Sequence, residues 1–104
     1  MVIKVYMKVY DTGYGLLVSI CDKEVFGKEF KEGEVVLKVS EPFYGGDEVP
    51  IETALEYLRN ASIANIVGKN IVNAAIEAGL IHKDAILTVK GVPHAQLVRI
   101  EYGW

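Results

Sequence analysis

His94 is the side chain best suited to proton transfer near neutral pH, and it lies in a loop, Gly91-Val92-Pro93-His94-Ala95, that Pro93 stiffens. Acid–base chemistry at a histidine needs a companion. No serine or cysteine stands in a recognisable nucleophile setting, and Asp22, directly after Cys21, raises a thiol pKa instead of activating it. Asp47-Glu48 could bind a metal or move a proton, but two acids there serve equally well as favourable charges before a helix. A single cysteine and two distant histidines, His82 and His94, suggest no metal site, and no cofactor is expected.

Two other patterns point to binding. Asn65, Lys69 and Asn73 recur at i, i+4, i+8, which on a helix aligns two amides and an ammonium group in one row. Such a row could hold a phosphate, a carboxylate or a partner's backbone, or could simply be a solvated helix face. Lys4, Tyr6, Lys8 and Tyr10 alternate along the first strand, with Tyr14 in the turn after it. Interleaved rings and ammonium groups suit single-stranded RNA, and they also suit an ordinary exposed or edge strand.

Two glycine motifs are excluded. Gly68-Lys69 lacks the phosphate-loop glycine, since Ile63 occupies that position, and Asn70 stands where Ser or Thr is required. Gly13-Tyr14-Gly15 lacks the third glycine of a dinucleotide fingerprint. Gly68 reads instead as a small residue on the packing side of a helix, beside Ala64 and Ala75.

The elements that must position these residues follow from period and punctuation. The 104 residues suffice for one domain, 1–104, with one core. Residues 2–10 alternate as a strand, not a signal peptide, and Gly15 to Cys21 returns as a second. Val25 to Phe30 and Val35 to Val39 complete a β-meander of about four strands, the last burying Val35, Leu37 and Val39. Phe43-Tyr44-Gly45-Gly46 forms a loop whose glycines permit positive φ or close backbone approach. Pro50 opens a helix with Ile51, Ala54, Leu55 and Leu58 on its apolar stripe. Ser62 to Leu80 reads as one long helix, N-capped by Ser62 and closed at Gly79. Ala85 to Val89 and Ala95 to Tyr102 make two C-terminal strands, with Val98, Ile100 and Tyr102 on one face. The expected fold is α+β: a mainly antiparallel sheet with a helical hairpin, both helices packed on one face.

Net charge is −3 and the imbalance is local: residues 1–50 hold six lysines against nine acids, and residues 51–104 five basic residues against five acids. An acidic chain does not coat nucleic acid by charge alone, so any anion-binding surface must be a patch. No apolar run approaches the ~20 residues of a membrane span, and a cytoplasmic location is expected.

Three stretches, FYGG at 43–46, ANIVG at 64–68 and GVPHAQ at 91–96, together with CDKEVFGKEF and the later AGLI, make the chain similar to a small archaeal family known as domain of unknown function 424. The resemblance runs from Val5 to Ile100 and leaves Gly103-Trp104 outside. It implies a cytoplasmic α+β protein, carries no assigned catalytic residues, and suggests genes neighbouring those of translation or ribosome maturation. Tyr44, Gly45, Gly46, Asn65, Gly68, His94 and Gln96 are the positions that match its motifs.

The sequence therefore ranks a non-enzymatic binding module, working with RNA or a ribosome- or translation-associated protein, ahead of an enzyme. A small-ligand site or enzyme is the rival, with the loop carrying Tyr44, Gly45 and Gly46, Asn65 with Lys69, and His94 converging on one pocket, and Asn73 and Gln96 as further candidate binding residues. A homo-oligomer joined through a sheet edge is a third possibility that nothing in the sequence specifically indicates.

Overall fold

The alternation of Val5 and Met7 with Tyr6 and Lys8 builds β1 (Lys4–Asp11), which pairs antiparallel with β2 (Leu16–Asp22) from Val5↔Asp22 to Asp11↔Leu16. The structure, a computed structural model, describes residues 2–99. A 3₁₀ turn at Lys23–Val25 leads to a hairpin of β3 (Glu29–Glu32) and β4 (Val35–Lys38). Then come α1 (Glu41–Tyr44), β5 (Asp47–Pro50), α2 (Ile51–Asn60), β6 (Ile63–Val67), α3 (Lys69–Glu77), a 3₁₀ turn at Lys83–Ala85, β7 (Leu87–Val89) and β8 (Val92–Val98). Six strands form one sheet in the order β5-β1-β2-β6-β8-β7, antiparallel throughout except for the parallel pair β2–β6. The fold class is α+β with a mostly antiparallel sheet, and α2 and α3 pack on one face of it.

The long helix expected over 62–80 is two elements. Ile63 to Val67 is a strand in the middle of the sheet, and the helix begins only at Lys69. The helical hairpin is therefore corrected to a helix–strand–helix unit. Ala64 and Ile66 face the helices and Ile63, Asn65 and Val67 the other side, so a short apolar run satisfied periods of 2 and 3.6 alike. Gly68, at φ +118, ends the strand in a conformation that side chains rarely adopt. Ser62 is not a helix cap: its N–H donates to Leu16 O and its carbonyl accepts from Arg99 N.

The meander is likewise two separate hairpins, because β3–β4 forms its own sheet. Within it Leu37 is buried and Val35 is exposed, with Val39 buried just after β4. Strand β8 starts three residues before the expected Ala95 and leaves Val98 58% exposed, while Ile100 and Tyr102 lie outside the described residues.

The core on the helix face joins Val5, Met7, Val18, Ile20, Ile66 and Ala95 to Ile51, Ala54 and Leu58 of α2 and Ile71, Val72 and Ala75 of α3. On the opposite face a second cluster covers only part of the sheet: Cys21, Val67 and Val89 lie beneath Val25, Leu37, Val39 and Tyr44. That partial cover determines which side chains are left for a partner.

Candidate functional site

The strand–helix joint at Gly68 is built around a buried carboxylate. Asp22, 1% exposed at the end of β2, accepts from the backbone N–H of Asn70 (2.7 Å) and Ile71 (3.0 Å). It caps α3 from a neighbouring strand, satisfying two of the free donors in the helix's first turn. A Cβ on Gly68 would run into that carboxyl group. Gly68 is therefore not the helix-interior packing residue that its spacing from Ala64 and Ala75 suggests, but the joint itself. Burial raises the Asp22 pKa above 3.8, the two backbone donors oppose the rise, and Glu24 adds to it.

The Phe43-Tyr44-Gly45-Gly46 stretch is an arch laid across the second sheet face. Gly45 N–H closes α1 by donating to Glu41 O at 2.6 Å, and a Cβ on Gly46 would strike the Met7 backbone. Close approach, not positive φ, is what these two glycines provide; Gly45 has φ −77. Strand side chains hold the arch down. Lys8 Nζ donates to Pro42 O (2.8 Å), Tyr10 OH to Phe43 O (2.9 Å) and Ser19 Oγ to Phe43 O (2.7 Å). Tyr10 stacks on Phe43 at 5.7 Å, and Tyr6 packs on Phe26 at 4.6 Å. Tyr6, Lys8 and Tyr10 are thus engaged inside the chain, while Lys4 is exposed at the start of β1. Tyr14, at the tip of the β1–β2 turn, is 98% exposed and lines a cleft with Arg59, Ile63, Val98 and Arg99.

The register creates a polar row that was not visible in the sequence. Lys8 opposes Ser19, Ser19 opposes Asn65, and Asn65 opposes Gln96, so four polar residues run across β1, β2, β6 and β8 on one face. The arch uses the first two. Asn65 and Gln96 make no side-chain hydrogen bond among the described residues, although Asn65 is half-buried. His94, two residues before Gln96, shares their face opposite Val67 and is half-buried; burial lowers its pKa below 6.5, so the ring is neutral at pH 7. Leu17, Ile63 and Val98 form the next row. Among the described strand residues on this face the one carboxylate is Glu48, ion-paired to Lys23 at 2.7 Å.

Asn65, Lys69 and Asn73 therefore do not form one row. Lys69 and Asn73 are exposed on α3, while Asn65 points to the sheet face away from that helix. The pocket expected from Tyr44, Asn65 and His94 is also divided: Tyr44 is 5% exposed beside Cys21, and burial pushes both its hydroxyl and the Cys21 thiol up to about 12. Neither supplies a nucleophile or a base at neutral pH. Sequence reasoning missed Asp22 as a cap and Ser19 as an anchor, because both depend on elements far along the chain. Among the described residues no three His, Cys, Asp or Glu side chains cluster as metal ligands. Among the described residues no helix is long and apolar enough to cross a membrane.

The sequence profile of the family described as "Protein of unknown function (DUF424)" matches residues 10–100. The chain is similar in structure to an uncharacterized conserved protein from Methanopyrus kandleri, known from a crystal structure, with a TM-score of 0.76 and 27% identity over 97% of this chain and 98% of that one. No curated protein matches the chain.

Proposed function

We propose, for a chain that belongs to the DUF424 family, that it is a non-catalytic binding module that takes a segment of single-stranded RNA on the open half of its second sheet face. The observation that carries this reading is the pair Asn65–Gln96, opposite each other in register and, among the described residues, without side-chain partners where Lys8 and Ser19 of the same row are satisfied. Side-chain amides pair with the edges of unstacked bases, and neutral His94 offers one donor and one acceptor beside them. Leu17, Ile63 and Val98 give an apolar floor, and the Tyr14 ring at its margin offers a stacking surface. On a chain of net charge −3, a face whose strand-borne carboxylate is already neutralised by Lys23 supports RNA over a basic protein partner. The buried Cys21 and Tyr44 support binding over catalysis.

Ribosomal RNA is the source to try first, given the translation context that the family resemblance implies. Co-sedimentation with ribosomal subunits and anisotropy titration with short single-stranded oligoribonucleotides test the reading. Asn65→Ala and Gln96→Ala should each weaken binding about tenfold with little change in Tm, since each amide–base contact is of that order. Capture of a protein without RNA, or equal RNA affinity in both variants, would overturn it.

A further inference from the structure

A cleft of about 280 Å³ opens beyond the carboxyl ends of the parallel strands β2 and β6, lined by Glu24, Lys28, Phe30, Lys69, Lys90 and Pro93 among others. Its lysines come from three separate segments, the approach to β3, the first residue of α3 and the β7–β8 turn, so chain neighbourhood does not explain their meeting. All three are exposed, and among the described residues none is in an ion pair.

Two of the three occupy positions where local physics prefers another residue. Lys69 opens α3, and a cation at the positive end of a helix is unfavourable. Lys90 is, among the described residues, the one non-glycine with positive φ, at +51, followed by Gly91 at +77. A two-residue turn with both φ values positive favours Asn-Gly. The Lys90 N–H donates to Glu32 at 2.8 Å, which fixes the turn against the β3–β4 hairpin and occupies that carboxylate. Local rules broken together around one cavity are what a ligand site produces.

We propose that this cleft is a phosphate-binding site, in which the ammonium groups of Lys28, Lys69 and Lys90 converge on a phosphate dianion while Pro93 and Phe30 form its apolar wall. The site is distinct from the amide row and does not require it. The shared chemistry is the phosphate group, carried either by an RNA terminus or backbone or by a small phosphorylated molecule.

The test is a ¹⁵N-HSQC titration of the full chain with inorganic phosphate, pyrophosphate, and oligouridylates with and without a 5′-phosphate. Phosphate and pyrophosphate should shift the amide resonances of Lys69, Lys90 and Gly91. Lys90→Asn suits the positive φ, so it should leave Tm equal or higher and still weaken phosphate binding about tenfold; Lys69→Gln should do the same at the helix end. If the 5′-phosphorylated oligomer binds more tightly than pyrophosphate and both variants lose it, the source is RNA. If pyrophosphate binds and the oligomers do not bind more tightly, the site takes a small phosphorylated ligand. The proposal falls if neither phosphate probe shifts these resonances, or if both variants bind like the parent chain. If the lysine variants lose pyrophosphate yet retain RNA that Asn65→Ala loses, the two sites act separately and the cleft takes the small phosphorylated ligand; if they retain pyrophosphate while Asn65→Ala loses RNA, this proposal falls and the sheet-face reading stands.

Discussion

Asp22 and Gly68 form a unit in which each residue explains the other. The carboxylate needs space at the start of α3 to accept from two N–H groups, and only a residue without a Cβ leaves it at φ +118. Replacing Asp22 with Ala should destabilise the fold by about 2 kcal/mol, the order of a lost cap with two buried donors. Gly68→Ala should cost at least about 2 kcal/mol, from backbone strain and from the collision with the carboxyl group. The informative measurement is the double-mutant cycle by chemical denaturation. Gly68→Ala should be milder in the Asp22→Ala background, because the obstruction has gone and the strain alone remains. Equal costs in both backgrounds would mean that the carboxyl group does not set the identity of residue 68.

At the scale of elements, the arch at residues 41–46 determines how much sheet is left open. It is short, with α1 a single turn, and its hold on β1 and β2 depends on Lys8, Tyr10 and Ser19 donating to two consecutive carbonyls. Tyr10→Phe keeps the stack on Phe43 and removes the hydroxyl, so it should lower stability by about 1 kcal/mol and speed amide exchange within 41–46 while leaving α2 and α3 protected. Exchange that rises equally across the chain would show that the arch is not a separable unit. The same elements mark what the sequence made legible. Strands β1 and β2 and helix α2 follow directly from period and from Pro50, because each has one buried face and clear punctuation. Ile63 to Val67 did not, since five apolar-rich residues fit either period and the deciding feature, an Asp22 carboxylate 46 positions before Gly68, is non-local. Asn65, His94 and Gln96 were picked out as residues, but their shared row depends on the pairing of β6 with β8. Lys28 and Lys90 carried no sequence signal except the Lys90-Gly91 pair, where a turn of this kind favours asparagine.

For the molecule as a whole, the two candidate sites lie along one strand. Lys90 and Gly91 precede β8, His94 and Gln96 are in its middle, and Val98 and Arg99 are at its far end. Seven extended residues span about 20 Å, a length that a short oligonucleotide can follow from lysine cleft to amide row. Both edge strands of the sheet are short, β7 with three residues and β5 with four, ending at Pro50, features that blunt a sheet edge. With net charge −3, long-range attraction to RNA is weak, so on the proposed reading affinity would come from local neutralisation by the three lysines and from base contacts. Three lysines gathered on one phosphate of a single strand release counterions with a slope of roughly −0.7 in log affinity against log salt, because the slope counts phosphates neutralised. An oligoribonucleotide spanning both sites should show that slope, and Lys90→Asn should flatten it, whereas Gln96→Ala should shift the line without tilting it. A slope near zero in the parent chain would separate the sites: the amide row could then still bind a base, but no strand would connect it to the lysine cleft.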